Sequence, residues 1–303
     1  MKCDKCDNRA IEHIRYSGAH LCAEHFTEFF EERAKKEIRG IKGRVAVALS
    51  GGKDSTALLH FACDNIEEVI AITLDEGIKD YRDDSIKIAA DNCRALGVEH
   101  VIVDLKKEIG FSIDDIFSLY EERGIKHAEC SFCGVMRRYY INKVAKEMNV
   151  DYLLFAHNLD DMAQTALMNV THNDLARGLP PYSGRVFVKR IAPFKWIPER
   201  EVAIYCFVKG INCHIGECPY AKVAERNRYR DAVNILEKGS PGARHGMVKS
   251  YDRISKLFRR GGEIKKCRKC GEPTSREICK RCEMVNKLQD LKNSPNFSFS
   301  EEV

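Results

Sequence analysis

The sequence RVAVALSGGKDS, at positions 44–55, joins a short apolar run directly to a loop that contains two glycines. The apolar run predicts a buried strand, and the spacing of apolar residues between Asp54 and Cys63 predicts a helix after the loop. Adjacent glycines let the backbone approach an anion closely, and a helix begins with unpaired N–H groups and the positive end of its dipole. We therefore predict that the loop at 50–55 binds phosphate.

Side chains of the same loop favour a nucleotide site over a simple turn. Ser50 and Ser55 offer hydroxyl donors, and Lys53 adds a positive charge. Asp54 is unexpected beside a bare phosphate, and coordination of Mg²⁺ would explain it. The pattern differs from a Walker A loop, which has four residues between its first glycine and its glycine-lysine pair. The alternative interpretation is a glycine turn capped by serine, which the complete hexapeptide between a strand and a helix disfavours.

Further strands and helices alternate along the chain after this loop. Apolar strands are predicted at 69–77, 99–105 and 151–157, and helices at 81–96, 131–148 and 160–170. This alternation predicts an α/β fold with a doubly wound, mostly parallel sheet that is covered on both faces. Ligands of such sheets bind beyond the carboxyl ends of the strands, where the loop lies. In the helix at 131–148 the predicted inward residues are Val135, Tyr139, Ile141 and Val144.

The composition limits the class of protein. The chain has 303 residues, and 44% of them are hydrophobic, which is sufficient for a globular core. No apolar run approaches the roughly 18 residues of a membrane-spanning helix, and the N-terminus lacks the apolar segment of a signal peptide. The 14 cysteines would suggest disulfides in a small secreted protein, but here they fall into CxxC pairs in a long chain. This pattern predicts metal sites and a reducing, cytoplasmic location.

Two cysteine modules near the ends of the chain have the ligand spacing of tetrahedral zinc. The expected ligands are Cys3, Cys6, Cys22 and His25 in the first module, and Cys267, Cys270, Cys279 and Cys282 in the second. His13 and His20 are alternatives to His25, but only His25 completes a close pair with Cys22. Each module is too short for a core of its own, so zinc is expected to supply much of its folding energy. Their role is either structural or, equally, contact with RNA.

The modules divide the chain into a zinc finger at 1–28, a domain of alternating strands and helices at 40–260 and a second zinc finger at 264–285. The polar segment at 290–303 is predicted to be a mobile tail. Between Lys249 and Lys287, 13 Lys or Arg residues stand against five acids, in a chain of net charge +5. Such a stretch either solvates the second finger or contacts a nucleic-acid backbone. In the second case the expected contacts are Arg259, Arg260, Lys265, Lys266 and Lys269.

A third cysteine pair, Cys130 and Cys133, precedes a helix that carries Arg137 and Arg138. A lone CxxC can be redox-active, half of a zinc site or part of an iron–sulfur site. The downstream candidates for a third ligand are Cys206, Cys213 and Cys218. Outside these sites, the remaining cysteines are most simply buried free thiols, namely Cys63, Cys93, Cys206 and Cys213.

Three motifs resemble one family of enzymes. The loop at 50–55 resembles the PP-loop of the ATP pyrophosphatase superfamily, whose members cleave ATP between the α- and β-phosphates and activate a carbonyl oxygen as its adenylate. The segment AHNLDD at 156–161 is similar to the GHNxDD motif of that superfamily, with Ala156 where glycine is usual. CSFCGVMRR at 130–138, followed by ECPYA at 217–221, resembles the iron–sulfur branch of the tRNA 2-thiouridine synthases, the TtcA/TtuA family.

In that family three cysteines hold a [4Fe-4S] cluster in which one iron is free of protein and can bind hydrosulfide. The resemblance implies that these ligands are Cys130, Cys133 and Cys218, with a redox disulfide, or Cys206 or Cys213 as third ligand, as alternatives. It also implies that ATP with Mg²⁺ contacts Ala48, Ser50, Gly51, Gly52, Lys53, Asp54, Ser55, Leu74, Arg137, Ala156 and Asp161. It makes the segment at 40–260 the catalytic domain, and the expected catalytic residues are Lys53, Asp54, Asp161, Cys130, Cys133 and Cys218. Asp160 or Asp161 could instead cap a helix.

The order of motifs along almost the whole chain resembles the TtuA group, which thiolates the T-loop uridine or ribothymidine at position 54 of tRNA. The histidine of the first finger and the ECPYA segment favour this group over the cytosolic wobble-uridine thiolases, which act at position 34. The resemblance implies a tRNA substrate and a ubiquitin-like carrier protein whose thiocarboxylate donates sulfur, and it leaves a homodimer open. Two other classes are alternatives: a PP-loop enzyme with an amine nucleophile, which needs no cluster, and a zinc-dependent RNA-binding protein without catalysis.

Overall fold

A computed structural model of the chain describes residues 1–125, 129–175, 187–257 and 264–293. For residues 129, 130, 222 and 223 it describes the backbone alone. The chain begins with a hairpin of β1 (Glu12–Ile14) and β2 (Ala19–Leu21), and α1 (Ala23–Glu37) follows directly. The predicted tail at 290–303 falls largely outside the described residues.

Five parallel strands form the central sheet of the chain. They are β3 (Val45–Ala48), β4 (Val69–Asp75), β5 (Glu99–Asp104), β6 (Tyr152–Leu154) and β7 (Lys189–Ile191). Their order in the sheet is β5-β4-β3-β6-β7, and every neighbouring pair is parallel. Val45, Ala46 and Val47 have no exposed surface, because helices cover both faces of the central strand. The predicted α/β fold with a doubly wound, mostly parallel sheet is confirmed.

Helices connect the strands and cover the sheet. They are α2 (Lys53–Asn65), α3 (Arg82–Leu96), α4 (Leu105–Ile109), α5 (Ile113–Glu122), α6 (Glu129–Glu147), α7 (Leu159–Thr171), α8 (Glu199–Lys209), α9 (Arg226–Gly239) and α10 (Ala243–Ser255). Residues of α1, α2 and α8 share one apolar core on one face of the sheet, and α6 packs on the other face. The order of the strands reverses at β3, so the loop after β3 lies where ligands of doubly wound sheets bind.

The four predicted inward residues of α6 all pack against a core, but most of them are not the most buried residues of this helix. Ile141 is buried as expected, and the other residues described on this helix with little or no exposed surface are Phe132, Met136, Tyr140, Asn142 and Ala145. Val135, Tyr139 and Val144 are only half-buried. The difference arises because α6 packs against two separate cores, one on the sheet and one on α5 and the C-terminal finger. A single helical stripe read from the sequence could not anticipate two burial directions.

The first finger is joined to the catalytic fold through α1. The Phe30 ring stacks on Tyr205 of α8 with centroids 4.1 Å apart. Arg33 forms an ion pair with the buried Glu201, and Tyr16 of the hairpin donates a hydrogen bond to the same carboxylate at 2.9 Å. The finger is therefore an integral part of the protein rather than a separately tethered module.

The second finger packs on the opposite side of the sheet. It contains β8 (Lys265–Lys266), β9 (Pro273–Thr274) and α11 (Lys280–Asn293). Val285, Leu288 and Leu291 of α11 are buried in the core that α5 and α6 share. None of the described helices is long and apolar enough to cross a membrane.

Candidate functional site

The loop at 50–55 crosses from β3 to α2 at the carboxyl end of the sheet. Ser55 Oγ accepts a hydrogen bond from Ser50 N at 3.0 Å and lies 2.9 Å from Ser50 Oγ. Gly52 is the N-cap of α2, so the first N–H groups of this helix have no partner within it. The loop thus offers the backbone donors that a phosphate site needs.

Gly51 accepts no side chain, for two independent reasons. Its φ is +84°, and a Cβ atom here would lie only 1.9 Å from the backbone oxygen of Ser85 in α3. On the other side, Gly51 O accepts a hydrogen bond from His214 N at 2.9 Å. The loop is therefore clamped between α3 and the segment that leads to Cys218.

Lys53 lies among acidic groups at the start of α2. Its Nζ is 2.9 Å from Asp54 Oδ2 and 2.6 Å from Glu199 Oε1 of α8. Burial disfavours the charged lysine, but the two carboxylates outweigh it and raise the pKa of Lys53. Lys53 is therefore protonated at neutral pH and available to a phosphate. Glu199 was missed in the sequence because it lies 146 positions away from its partner.

Asp54 and Asp161 belong to the first turns of two neighbouring helices. Asn158 connects them, because its Nδ2 donates to Asp54 Oδ1 at 3.2 Å while its Oδ1 caps α7 by accepting from Asp161 N. Burial raises the pKa of Asp54, the charge of Lys53 opposes this, and the charge of Asp161 adds to it. Two neighbouring carboxylates repel each other unless a cation joins them, so this donor set fits Mg²⁺.

Asp160 points away from this pair. Its Oδ2 accepts a hydrogen bond from Glu199 N at 2.8 Å, and its Oδ1 lies 3.0 Å from Arg244 Nε. Asp161 completes the capping box of α7 and also keeps 35% of its side chain exposed. The capping role of Asp161 is therefore observed, and its partly exposed carboxylate is compatible with the predicted site role.

Leu74 is the second-last residue of β4 and lies beyond the end of β3. Leu49 N donates to Ile72 O at 2.9 Å, so Leu74, two residues further, presents its backbone to the same side. Leu74 O accepts a hydrogen bond from Arg82 Nη2 at 2.5 Å. Because this oxygen is already occupied, the group of Leu74 that would pair with adenine is its backbone N–H. The two other predicted contacts with ATP lie at the same end of the sheet, Ala48 at the end of β3 and Ala156 after β6.

Cys133 and Cys218 face the same pair of charged residues from two elements. Cys133 Sγ lies 3.5 Å from Arg137 Nη2 and 3.8 Å from Glu76 Oε1. Cys218 precedes a 3-10 helix, Pro219–Val223, that packs against α6. Burial raises the pKa of the Cys218 thiol, and the nearby charges of Arg137 and Glu76 also act on it. Cys130 is in the first turn of α6, and its side chain lies outside the described part.

The alternative third ligands lie on another side of the loop. Cys206 is buried, and its Sγ lies 3.5 Å from the backbone oxygen of Lys53. Burial raises the pKa of Cys206 to about 12, and the neighbouring Cys213 adds to this effect. Cys93 is buried as expected of a free thiol, whereas Cys63 is half-buried. The geometry thus favours Cys218 as the neighbour of Cys133.

A buried ion-pair network joins the phosphate loop to the cysteines, and sequence reasoning missed it. Only 1% of the Glu76 side chain is exposed. Its Oε2 lies 2.6 Å from Arg82 Nε, and its Oε1 accepts a hydrogen bond from Arg137 Nε at 2.9 Å. Arg82 also donates to Ser50 O at 2.9 Å. The available signal was an acidic residue directly after the end of a buried strand, on the edge where ligands bind.

The two arginines of α6 take different directions. Arg137, an expected ATP contact, faces Glu76 and Cys133. The Arg138 guanidinium lies against Gly134, with its Nη1 3.4 Å from the position that a Cβ of Gly134 would occupy. Only Arg137 therefore belongs to the ion-pair network.

We expect a Glu76→Gln variant to lose about 3–5 kcal/mol of unfolding free energy, because it leaves the buried Arg82 without a counter-charge. The two arginines keep the pKa of Glu76 low in spite of its burial. The contribution should therefore be complete above the unfolded pKa of glutamate, about 4.3, and be lost as the pH falls below it. Chemical denaturation at neutral and at acidic pH measures both effects.

Glu68→Gln is the matched control, because Glu68 pairs with Arg44 at 3.2 Å while 62% of its side chain is exposed. Exposed pairs contribute about 0–1 kcal/mol. Equal losses in the two variants would contradict a special role for the buried network.

The terminal cysteine modules bring their ligand atoms to metal-binding distance. In each module the four ligand atoms lie within 4.8 Å of one another. Cys6 Sγ is 3.7 Å from Cys22 Sγ, and Cys270 Sγ is 3.6 Å from Cys279 Sγ. Thiolates on one tetrahedral zinc are about 3.8 Å apart, so both donor sets fit this ion.

The protonation of these modules also fits a metal. Despite burial, hydrogen bonds from backbone N–H groups help to lower the pKa of Cys3 and that of Cys267 to about 6. Burial and the neighbouring thiols raise the pKa of Cys6, Cys279 and Cys282, so a bound cation would be needed to hold all these sulfurs as thiolates. His25 Nδ1 lies 3.3 Å from Cys22 Sγ. The alternatives, His13 and His20, instead stack on each other with centroids 4.2 Å apart.

The predicted tRNA contacts are only partly described. Arg259 and Arg260 lie outside the described residues. Lys265 and Lys266 are exposed on β8, and Lys269 Nζ donates to Asn286 Oδ1 at 2.7 Å. These lysines lie on the second finger.

Comparison with known proteins gives two matching domain families. A PP-loop domain matches residues 21–236, and the N-terminal LIM domain of the 2-thiouridine synthetase TtuA matches residues 2–27. The chain is 34% identical to the tRNA 2-thiolation protein NcsA of Haloferax volcanii, over 95% of this chain and 99% of that protein. It is 33% identical to the tRNA-5-methyluridine(54) 2-sulfurtransferase of Pyrococcus horikoshii, over 99% of this chain and 97% of that protein.

A solved structure is also similar over almost the whole chain. It is the U34-tRNA thiolase NcsA from Methanococcus maripaludis with its [4Fe-4S] cluster, with a TM-score of 0.82 and 34% identity. The similarity covers 95% of this chain and 96% of that chain. Relatives named for position 54 and for position 34 of tRNA are thus similar to this chain to nearly the same degree.

Proposed function

The chain belongs to the PP-loop family of tRNA 2-thiolation enzymes, and on this basis we propose that it adenylates the C2 oxygen of one tRNA uridine and replaces that oxygen with sulfur. The observation that carries the proposal is the Glu76 network. Arg82 holds the phosphate loop through Ser50 O, and Glu76 and Arg137 continue this contact to Cys133. A nucleotide site and a sulfur site joined in this way suit a reaction in which ATP activates a carbon and sulfur then bonds to the same carbon.

Residues of the loop would perform the first step. Lys53 and the N–H groups at the start of α2 would stabilise the triphosphate while the uridine oxygen attacks the α-phosphorus and pyrophosphate leaves. Asp54 and Asp161 would hold Mg²⁺. Adenylation makes AMP the leaving group, so that sulfur can then form the new bond to C2 as the C2–O bond breaks.

Cys133 and Cys218, with Cys130, would hold the [4Fe-4S] cluster. When bound, the cluster would supply an iron without a protein ligand that can hold the incoming sulfur. The buried Glu76 would fix Arg137 beside these cysteines. The two terminal modules would each hold one zinc ion with all four positions filled by protein, which is the arrangement of structural sites.

We propose position 54 as the modified uridine, because the histidine ligand and the ECPYA segment resemble the TtuA group. Position 34 is a second candidate, because the similar structure from Methanococcus maripaludis is named as a U34-tRNA thiolase. The proposed sulfur donor is the thiocarboxylate of a ubiquitin-like carrier protein. The proposed place of action is the cytoplasm, with a homodimer as a compatible assembly and the lysines of β8 as further tRNA contacts.

An anaerobic assay with ATP, Mg²⁺, a sulfide source and unmodified tRNA tests the function. We expect AMP release and a 2-thiolated uridine in the digested tRNA. A tRNA with cytidine at position 54 should not be thiolated, whereas a tRNA with cytidine at position 34 should be. The reverse pattern would establish the second candidate. Two results would contradict the proposal. One is the absence of any AMP release, and the other is a reaction without a cluster in which an amine, rather than sulfur, is the nucleophile.

A further inference from the structure

A positively charged surface with two stacked rings lies beside the proposed nucleotide site. It consists of Arg138 on α6, Phe155 and His157 after β6, and Arg190 on β7, and we call it the Arg190 cleft. None of these residues belongs to the phosphate loop or to the sulfur site.

The pairing of β6 with β7 brings the rings and Arg190 together. Phe155 N donates to Ile191 O at 2.9 Å, which places Phe155 next to the end of β7. The Arg190 guanidinium carbon lies 5.6 Å from the centroid of the Phe155 ring. Phe155 and His157 stack with centroids 5.7 Å apart and ring planes 22° apart. The stack ends in His157, whose side chain is exposed.

Positive charge accumulates around these rings. Besides the burial of Arg190, the nearby charge of Arg138 lowers the pKa of Arg190, which shows that the two guanidinium groups repel each other. Within the described part of the chain, Arg190 forms no ion pair with a carboxylate. Guanidinium groups remain charged in proteins, so an anion that binds beside Arg190 would be attracted by both groups.

The cleft leads to the sulfur site. The Arg138 guanidinium lies against Gly134, the residue directly after Cys133. At the other side, His157 lies within the electrostatic reach of Asp161 and of Arg226 on α9. Arg138 thus borders the residue after Cys133, and His157 borders Asp161 of the proposed adenylation site.

We propose that the Arg190 cleft binds the RNA backbone next to the target uridine, with Arg190 and Arg138 on a phosphate and the His157–Phe155 stack under a neighbouring base. This inference rests on the proposed function and deepens it. Stacked rings beside arginines are the means by which proteins hold unpaired nucleotides. The target uridine has to leave its folded arm, and the nucleotides next to it then become available to such a surface.

Arg190→Ala tests the phosphate contact, and the second source of the same anion is ATP. We expect affinity for unmodified tRNA to fall about fivefold at 0.15 M salt, and the slope of log affinity against log salt to become shallower by about 0.7–0.9. ATP affinity should not change. Reduced ATP affinity with unchanged tRNA affinity would assign the cleft to the nucleotide and overturn the inference.

Lys189→Ala is the matched control. Lys189 is the neighbouring residue on β7, and its Nζ lies 5.3 Å from the centroid of another ring, Tyr152. Successive side chains of a strand point to opposite faces, so this variant removes the same charge from the other face. We expect little change in the tRNA affinity of the control. An equal loss of tRNA affinity in both variants would mean that only the net charge of the protein matters, and it would overturn the inference.

His157→Ala tests the stacking contact separately. We expect tRNA affinity to fall about tenfold without a change in salt slope, because stacking releases no counterions. If wild-type protein binds tRNA but the Arg190 and His157 variants bind equally well, only the cleft is refuted. If the wild-type protein binds no tRNA, both the cleft and the proposed function are refuted.

Discussion

A Cys218→Ala variant is expected to assemble no [4Fe-4S] cluster and to lose thiolation completely, while both zinc ions remain bound. Cys218 is the downstream cysteine next to the residues that surround Cys133, because Arg137 and Glu76 act on both sulfurs. With a single cysteine pair left, the cluster would lack the third thiolate that holds it. Cys130→Ala and Cys133→Ala should give the same result. Iron, sulfide and zinc are quantified on anaerobically reconstituted protein.

Cys213→Ala is the matched control, since Cys213 is a half-buried cysteine five positions away in the same segment. We expect this variant to keep its cluster and its activity. A Cys218→Ala protein with a full complement of iron, together with a Cys213→Ala protein without iron, would reassign the third ligand. Loss of zinc from Cys218→Ala would instead indicate general misfolding, and a second substitution, Cys218→Ser, would then be compared.

Lys53→Ala should reduce AMP release in the presence of tRNA by about a hundredfold or more, with the cluster intact. The loss of one donor to a developing charge typically costs about 3–4 kcal/mol. Lys53 is held at the start of α2 by Asp54 and Glu199 and is charged at neutral pH, because these carboxylates raise its pKa against burial. Asp161→Ala should impair the same step, since Asp161 is the second carboxylate of the proposed Mg²⁺ site.

Lys209→Ala serves as the control for the lost charge. Lys209 lies at the end of α8, and its Nζ pairs with Asp64 at 3.3 Å on the surface. Its removal should leave AMP release unchanged. A wild-type rate of AMP release in Lys53→Ala would remove Lys53 from the mechanism, whatever the effect on tRNA affinity.

The parts of the fold that were predictable are those set by local sequence. β3, β4, β5 and β6 are continuous apolar runs, and the metal modules have ligands at fixed short spacing. β7 escaped prediction, since it has three residues, KRI, and only one of them is apolar. A strand this short is defined by its partner β6, through hydrogen bonds that no local pattern contains.

The candidate site was predictable where a motif supplies it and not where distant residues complete it. Ser50, Lys53 and Asp161 could be named because they belong to recognisable segments. Glu76 and Glu199 could not, because a buried carboxylate is recognised by the cations around it, which come from other elements. Asn158 connects Asp54 to Asp161, and only the structure shows that one side chain serves both helices.

The hydrogen bond from His214 N to Gly51 O limits how far Cys218 can lie from the phosphate loop. Only four residues of chain separate His214 from Cys218, and four fully extended residues span about 14 Å at most. The distance between the nucleotide loop and the third sulfur is thus limited by covalent geometry, whichever way the rest of the segment turns. In the proposed reaction, the nucleobase would therefore stay bound between the two sites and would not be released and captured again between the two chemical events.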